Sequence, residues 1–303
     1  MLELIPFSTA TYWLNYAAHN AACAGATMGD IARAIRPYLA YVEANRSAFE
    51  RAKAVAPLKF DSAATVVPPE VLPVLLEGNP IWCQGWLAEG ERLAAVGDRF
   101  LAQGQRLTAG QVYRRASILI SYAEWTMLLS PEKRAAFDRG RALSLQAIDL
   151  LDERFEAVTI PFEGRELEGM FWPAPGGGRR PTAVCFNGLH SSMEWFWQVG
   201  LIRELNRRGI SVLVFDCPGS GTSRFHLGVH MEPETERYAR PAMDVVLPEQ
   251  MSILIVSQPL GVASAATARC GLRPRTTDTR CASRGALSMA LALREMGEAD
   301  PPA

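Results

Sequence analysis

The hydrophobic repeat of this chain changes from a helical period to a strand period near residue 155, and this change limits the folds that it can adopt. In the first half, apolar residues recur at every third or fourth position, which predicts helices over residues 28–55, 82–101 and 109–129. Ser130-Pro131, a capping residue followed by proline, predicts the start of a further helix. Residues 155–160 and 167–172 alternate instead, with Glu163-Gly164-Arg165 as a turn, which predicts a β-hairpin.

Strands and helices then alternate along the second half. Three short apolar runs have the composition of strands that are buried on both faces: Thr182–Phe186, Ser211–Asp216 and Ser252–Val256. Helices are expected between them over residues 193–208, where Gly209 is a typical stop, and over about 234–247. Because parallel strands need such crossover helices, this order predicts an α/β fold with a doubly wound, mostly parallel sheet.

Charge and composition argue against several partners and cofactors. The formal net charge is −1 and the pI is about 6.5, which gives no electrostatic basis for binding nucleic acid or an anionic membrane. There is no signal-peptide pattern, and no apolar run approaches the roughly 20 residues that span a bilayer. The six cysteines form no Cys-x-x-Cys pair and the four histidines lack zinc spacing, so we expect reduced thiols, no metal, no cofactor and a cytoplasmic protein.

Two loops at the carboxyl ends of predicted strands carry the functional information, because open α/β sheets bind ligands there. The first, Phe186–Trp195, reads FNGLHSSMEW, and the second, Asp216–Ser223, reads DCPGSGTS. The second loop has neither the lysine nor the spacing of a phosphate-binding loop. Ser220 is not the centre of a G-x-S-x-G elbow either, because glycines flank it directly.

In this order the two loops resemble the oxyanion loop and the D-x-P-G-x-G-x-S loop of the α/β-hydrolase superfamily. Together with the Ile160–Gly169 hairpin and the Ser-x-Met-Glu of the first loop, they are similar to the fermentation/respiration-switch-like hydrolases. That group includes dihydropseudooxynicotine hydrolase and fungal pigment heptaketide hydrolases. The resemblance covers roughly residues 40–260.

The resemblance implies a partial α/β-hydrolase core preceded by a helical cap. We expect a helical N-terminal cap domain over 1–152, the N-terminal part of the hydrolase core over 153–261, and an atypical tail over 262–303. The activity implied is serine hydrolysis of an ester, or of a carbon–carbon bond next to a ketone, in a small-molecule substrate. The resemblance is also compatible with a homodimer.

Carried over residue by residue, the resemblance predicts a set of site residues. The oxyanion loop maps onto Gly188, Leu189 and Leu260, and the nucleophile elbow onto residues 257–261, with Pro259 in the nucleophile position. Glu194 and Asp216 are expected to shape the pocket, to cap a helix or to fix a turn. His190 lies beside the oxyanion loop, and we interpret it as a loop histidine and not as a catalytic base.

The chain departs from the family at the nucleophile position and after it. Pro259 has no hydroxyl, and Ser257 lies two residues early, where its Oγ should not face the oxyanion loop. The 42 residues of 262–303 contain no Phe, Trp, Tyr, Ile or His, so they offer neither the expected buried strands nor a base. We therefore expect a catalytically incomplete chain.

Several explanations remain open for this departure. The hydrolase part is truncated or frameshifted near Val256–Gly261, or the chain is a pseudoenzyme that binds a ligand or partner in its cap pocket. A third alternative is an interaction domain located in residues 1–152. The coding DNA downstream of the Gly261 codon tests the frameshift hypothesis, because a shifted frame should continue into a family-like sequence.

Overall fold

The computed structural model describes residues 17–55, 72–188, 191–231, 236–246, 253–257 and 267–268. The chain divides into two compact units. The first, called the helical unit below, contains Met1–Glu153 and Gln198–Gly200, and the second, the sheet unit, contains Arg154–Trp197 and Leu201–Ala303.

Helices make up the described part of residues 17–153. In chain order they are α1 over 17–23, α2 Met28–Ala44, α3 Arg46–Val55, α4 Leu72–Ala102, α5 Arg106–Thr126 and α6 Pro131–Leu150. Thr27 caps α2 in a reciprocal box with Asp30, whose backbone N–H donates to Thr27 Oγ1 at 3.1 Å while Asp30 Oδ2 accepts from Thr27 N–H at 2.8 Å. Ser130 Oγ accepts from Lys133 N–H at 3.2 Å, which confirms the predicted helix start at Ser130-Pro131.

The single helix predicted over 28–55 is in fact two helices, α2 and α3, separated at Asn45. The backbone N–H of Asn45 donates to the carbonyl oxygen of Tyr41 at 3.1 Å, and its side-chain Nδ2 donates to the same oxygen at 2.9 Å. Asparagine favours such local side-chain bonds over a continuing helix. The hydrophobic period continues across this break, so periodicity alone could not reveal it.

The remaining described elements form a six-stranded sheet with helices. They are β1 Glu156–Phe162, β2 Arg165–Trp172, β3 Thr182–Phe186, α7 Glu194–Gln198, α8 Leu201–Arg207, β4 Ser211–Phe215, α9 Gly221–Phe225, α10 Glu236–Val246, β5 Ile253–Ser257 and β6 Thr267–Ala268. The strand order is β1-β2-β4-β3-β5-β6. The predicted parallel arrangement holds for β4, β3 and β5, while β1, β2 and β6 add antiparallel pairs.

The predicted hairpin is present, with a turn of two residues. Glu163 and Gly164 have φ values of 50° and 73°, and Arg165 is already the first residue of β2. Two consecutive positive φ values are typical of the tight turn whose twist matches that of paired strands. Gly164 adopts this conformation without the steric cost that a Cβ would add.

Both faces of the central strands are covered, as expected for a doubly wound sheet. Successive strand residues point to opposite faces, and in β4 Val212, Leu213, Val214 and Phe215 are all fully buried. α8 packs against β4, and α10 packs against β1 and β3. On the α10 side, the ring of Tyr238 lies 5.5 Å from Phe186 and 6.2 Å from Phe215 between centroids.

The helix predicted over residues 193–208 is interrupted and forms α7 and α8. Residues 198–200 group with the helical unit, where Arg114 Nε and Nη2 donate to the carbonyl oxygen of Gln198 at 2.9 and 2.7 Å. An uninterrupted helix would need that oxygen for the N–H of Ile202. Gly200, with φ of 83°, then turns the chain into α8.

Aromatic side chains form a continuous row in the core of the helical unit. Neighbouring ring centroids along this row are 5.4, 5.3, 5.6 and 4.9 Å apart, for Tyr38, Trp82, Trp86, Tyr122 and Trp125. All five side chains are buried. Large aromatic groups bury more apolar surface than other residues, so this row is a major source of stability for α2, α4 and α5.

Glycines of α4 allow neighbouring helices to approach it closely. A Cβ at Gly85 would overlap the carbonyl oxygen of Ala34 in α2, well inside any normal contact. A Cβ at Gly90 would lie 2.5 Å from Ile120 Cγ1 in α5. The glycines therefore fix how near α2 and α5 come to α4, at some cost in helix propensity.

Replacing Gly85 by alanine is expected to lower the free energy of unfolding by about 1–3 kcal/mol, the usual cost of overpacking. The methyl group would force α2 away from α4. Urea denaturation of the variant beside the wild type measures this loss. Gly140→Ala is the matched control, because its Cβ would lie 3.5 Å from Ile120 Cγ2, an ordinary contact. Equal stability of the two variants would contradict the proposed close approach.

Candidate active site

The carboxyl ends of β4, β3 and β5 lie side by side at one edge of the sheet. Phe186, the last residue of β3, pairs with Phe215 of β4 on one side and with Ser257 of β5 on the other. The chain runs from β3 to β4 on one side and then to β5 on the other, so the strand order reverses at β3. Open α/β sheets bind their ligands at such a reversal. The loops that begin at Asn187 and Asp216 both start there.

The buried carboxylate of Asp216 connects these two loops. Its Oδ1 accepts hydrogen bonds from Met193 N–H at 2.8 Å and from Asn187 Nδ2 at 2.6 Å. Its Oδ2 accepts from the N–H and the hydroxyl of Thr222, at 2.7 and 3.1 Å. Four donors satisfy a carboxylate that would be costly to bury alone.

The side chain of Asn187 makes a second connection between the same loops. Its Nδ2 donates to Ser191 O at 2.7 Å as well as to Asp216. Its Oδ1 accepts from Ser220 Oγ at 2.7 Å and from Cys217 N–H at 3.3 Å. Both donors and both acceptor positions of the amide are thus used. Asn187 directly precedes Gly188, the first residue of the predicted oxyanion loop.

The two glycines of the loop after β4 are required by close contacts. Gly219 has φ of 86°, and a Cβ there would lie 2.5 Å from the backbone nitrogen of Met231. Gly221 has φ of 41°, and a Cβ there would overlap the carboxylate of Asp216. The second glycine therefore lets Asp216 reach the N–H and the hydroxyl of Thr222 in α9, which explains why the pattern couples an aspartate to a glycine five residues later.

The hydroxyl and thiol groups of this loop are already engaged. Ser220 Oγ lies 2.7 Å from Asn187 Oδ1 and 2.8 Å from Cys217 O, and Ser223 Oγ lies 2.5 Å from Cys217 O. Cys217 Sγ lies 2.9 Å from Asn187 O, and burial raises the pKa of its thiol to about 12. A thiol with that pKa stays protonated and is a poor nucleophile at neutral pH.

Three other predicted site residues lie at or near this edge. Gly188 continues from Asn187, and its carbonyl oxygen accepts from Ser191 N–H at 3.2 Å. Glu194 is the first residue of α7 and is 1% exposed. Ser257 is the last residue of β5, a strand that begins and ends one residue later than predicted. The predicted positions that lie outside the described residues are Leu189, His190, Pro259 and Leu260.

No sequence pattern assigned a role to Asn187. Asn187 and Asp216 each follow the last residue of a buried strand, and those last residues, Phe186 and Phe215, are paired in register. An amide and a carboxylate at equivalent ends of neighbouring parallel strands should lie close together. Aligning the ends of the two predicted strands could therefore have predicted the contact between Asn187 and Asp216.

The described residues contain no group of three or more His, Cys, Asp or Glu side chains that could hold a metal ion. The thiols in the described part of the chain are unpaired, with Cys23 exposed and Cys83, Cys185 and Cys217 buried. None of the described helices is long and apolar enough to cross a membrane.

Replacing Asp216 by asparagine is expected to lower the free energy of unfolding by about 3 kcal/mol, because an amide nitrogen would face buried donors that the carboxylate now accepts. Urea denaturation measures the change. Asp244→Asn, at an exposed position of α10, is the control and should change stability by less than about 0.5 kcal/mol. The same small change in both variants would show that Asp216 does not hold the loops together.

The chain is similar in sequence to proteins named as hydrolases. It is 31% identical over 183 residues to "Hydrolase LUC6" of Fusarium sp, which covers 57% of this chain and 43% of that protein. It is 26% identical over 182 residues to "Alpha/beta hydrolase ucsC" of Acremonium sp, covering 54% and 37%. It is also 26% identical over 148 residues to "2,6-dihydropseudooxynicotine hydrolase" of Paenarthrobacter nicotinovorans, covering 46% and 37%.

These matches span only about two fifths of the length of the relatives. Among solved structures, that of 2,6-dihydroxy-pseudo-oxynicotine hydrolase superposes with a TM-score of 0.49 at 22% identity, covering 58% of this chain and 50% of the other. No family model matches the chain. The chain is thus similar in sequence to α/β-hydrolases and to 2,6-dihydropseudooxynicotine hydrolase, and its described residues combine an α/β sheet with a helical region, as expected for a partial α/β-hydrolase.

Proposed function

We propose that the chain is a serine-type hydrolase by descent that keeps the oxyanion side of the site and lacks a working nucleophile and base. The substrate class is a small-molecule ester or ketone, hydrolysed at the ester bond or at the adjacent carbon–carbon bond. The names of the sequence relatives support a hydrolase. A homodimer stays a prediction from the resemblance.

The oxyanion side is supported by the loop that begins at Asn187. In acyl transfer, backbone N–H groups hold the negative charge that develops on the carbonyl oxygen. The predicted donors are the amides of Leu189 and Leu260, and Gly188 directly precedes the first of them. Asp216 and Asn187 would act through the loops that they connect, and Glu194 would shape the pocket from the start of α7.

One observation carries the proposed loss of activity: proline occupies the position where the family has its nucleophile. β5 lies parallel to β3 and ends at Ser257 beside Phe186, and Pro259 stands two residues after that strand end in the sequence. Pro259 has no hydroxyl to attack a carbonyl, and the residues after it include no histidine to accept the proton. The attacking hydroxyl is therefore absent from the position that the family uses for it.

The purified chain is expected to hydrolyse p-nitrophenyl acetate and butyrate no faster than heat-denatured protein does. Loss of a catalytic triad costs about a millionfold in turnover, so residual activity should be undetectable. A fluorophosphonate probe, which labels activated serines, should leave the chain unlabelled. The measurements are product absorbance and intact mass.

Two variants make this test sharper. Pro259→Ser restores a hydroxyl but no base, and we expect it to stay inactive and unlabelled. Ser257→Ala should behave as the wild type does. Turnover or labelling of the wild type that disappears in Ser257→Ala would overturn the proposal and make Ser257 the nucleophile.

A second candidate function is a non-catalytic binding module. The observation that favours it is that the hydrogen bonds of Asn187 and Asp216 join the two loops without any contribution from a nucleophile. The loops could therefore bind a ligand without catalysing a reaction. Such a module should bind a carboxylate that mimics the oxyanion, and benzoate is a suitable probe. Benzoate at 100 times its dissociation constant would stabilise the fold by about 2.7 kcal/mol and raise the melting temperature. An unchanged melting temperature up to the solubility limit of benzoate would reject this role.

A further inference from the structure

An exposed histidine and an exposed cysteine lie one turn apart on α1, away from the candidate active site in sequence. His19 Nε2 and Cys23 Sγ are 3.7 Å apart. Residues four apart share one face of a helix, so the pair is held together by the backbone itself. On the other side of α1, Asn20, Ala21 and Ala24 are buried.

α1 ends directly after this pair in a hydrogen-bonded capping motif. α1 ends at a glycine in the left-handed region, Gly25, with φ of 89°. Ala26 N–H donates to Ala21 O, and Gly25 N–H donates to Ala22 O, both at 2.9 Å. These two bonds form a Schellman motif, which places Cys23 in the last helical turn. The negative end of the helix dipole at that turn favours a bound cation.

The spacing of the two side chains fits a tetrahedral metal ion. Zinc lies about 2.3 Å from a cysteine sulfur and about 2.0–2.1 Å from a histidine nitrogen, so at a tetrahedral angle the two ligand atoms are about 3.6 Å apart. Cys23 Sγ and His19 Nε2 are already at nearly that separation. Neither side chain would have to leave its helical position.

We propose that His19 and Cys23 form a two-ligand surface site for a thiophilic divalent cation of the zinc class. Thiolate and imidazole are the ligand types that such ions prefer. On binding, the Cys23 S–H bond breaks, its proton passes to solvent, and a sulfur–metal bond forms with no change of oxidation state. His19 donates the Nε2 lone pair, and water fills the remaining positions.

The other described cysteines offer no equivalent site. Cys83, Cys185 and Cys217 are buried, and burial raises the pKa of each of their thiols. A metal ion would have to enter the core to reach them. Cys23 differs because it is exposed and has an imidazole within bonding geometry.

The test is titration of the full chain with Co²⁺ under a non-thiol reductant, followed by competition with Zn²⁺. Cobalt bound to a thiolate gives a charge-transfer absorption in the near ultraviolet, which reports the sulfur bond directly. We expect this band in the wild type, its loss on adding Zn²⁺, and its absence in Cys23→Ser. Circular dichroism checks that each variant is folded.

Matched variants separate this site from the thiols outside the described residues. His19→Ala keeps every cysteine and should weaken cobalt binding at least about tenfold. Removing a residue that only hydrogen-bonds to a metal ligand already costs that much affinity, and His19 is proposed as a ligand itself. A double variant, Ala18→His with His19→Ala, keeps the histidine but turns it by about 100° around the axis, and should bind no better than His19→Ala. Wild-type affinity in any of the three variants would overturn the proposal.

Discussion

The carboxylate of Asp216 is the interaction on which the carboxyl edge of the sheet depends. It is fully buried, and it accepts bonds from the loop after β3 and from the start of α9 at the same time. A charge in that position is tolerated only because every lone pair has a donor. Gly221 has to be a glycine for the same reason, since a side chain there would occupy the place of the carboxylate. The sequence pattern of this loop thus reflects the buried carboxylate of Asp216 and the groups that donate hydrogen bonds to it.

The two sides of the proposed hydrolase site depend on different parts of the chain. The proposed oxyanion side belongs to the loop after β3, which the side-chain bonds of Asn187 and Asp216 join to the loop after β4. The proposed nucleophile side would come from the segment after β5, where Pro259 stands in the position that the resemblance gives to the nucleophile. The bonds given above for Asn187 and Asp216 join residues 187–222 to one another, so the proposed loss of the nucleophile would leave these bonds in place.

Much of the fold could be predicted from local patterns. The change of period, the hairpin, the strands β3 and β4 and the cap at Ser130 all follow from residues that are close in sequence. The break between α7 and α8 could not be predicted, because its cause is Arg114, which lies 84 positions from Gln198. The split at Asn45 was hidden by a hydrophobic period that continues across it. The role of Asn187 becomes visible only when β3 and β4 are aligned, and a single loop read alone does not show it.

The hydrogen-bond partners of Asn187 also fix the orientation of its side-chain amide. Its amide presents hydrogens to Asp216 and to Ser191 O, and it presents oxygen to Ser220 and Cys217. Rotating that group by half a turn would bring oxygen against oxygen on one side and hydrogen against hydrogen on the other. Aspartate or leucine in its place would fail on one side or on both. The four partners therefore allow only one orientation of the amide, and that orientation holds the start of the loop after β3 in place.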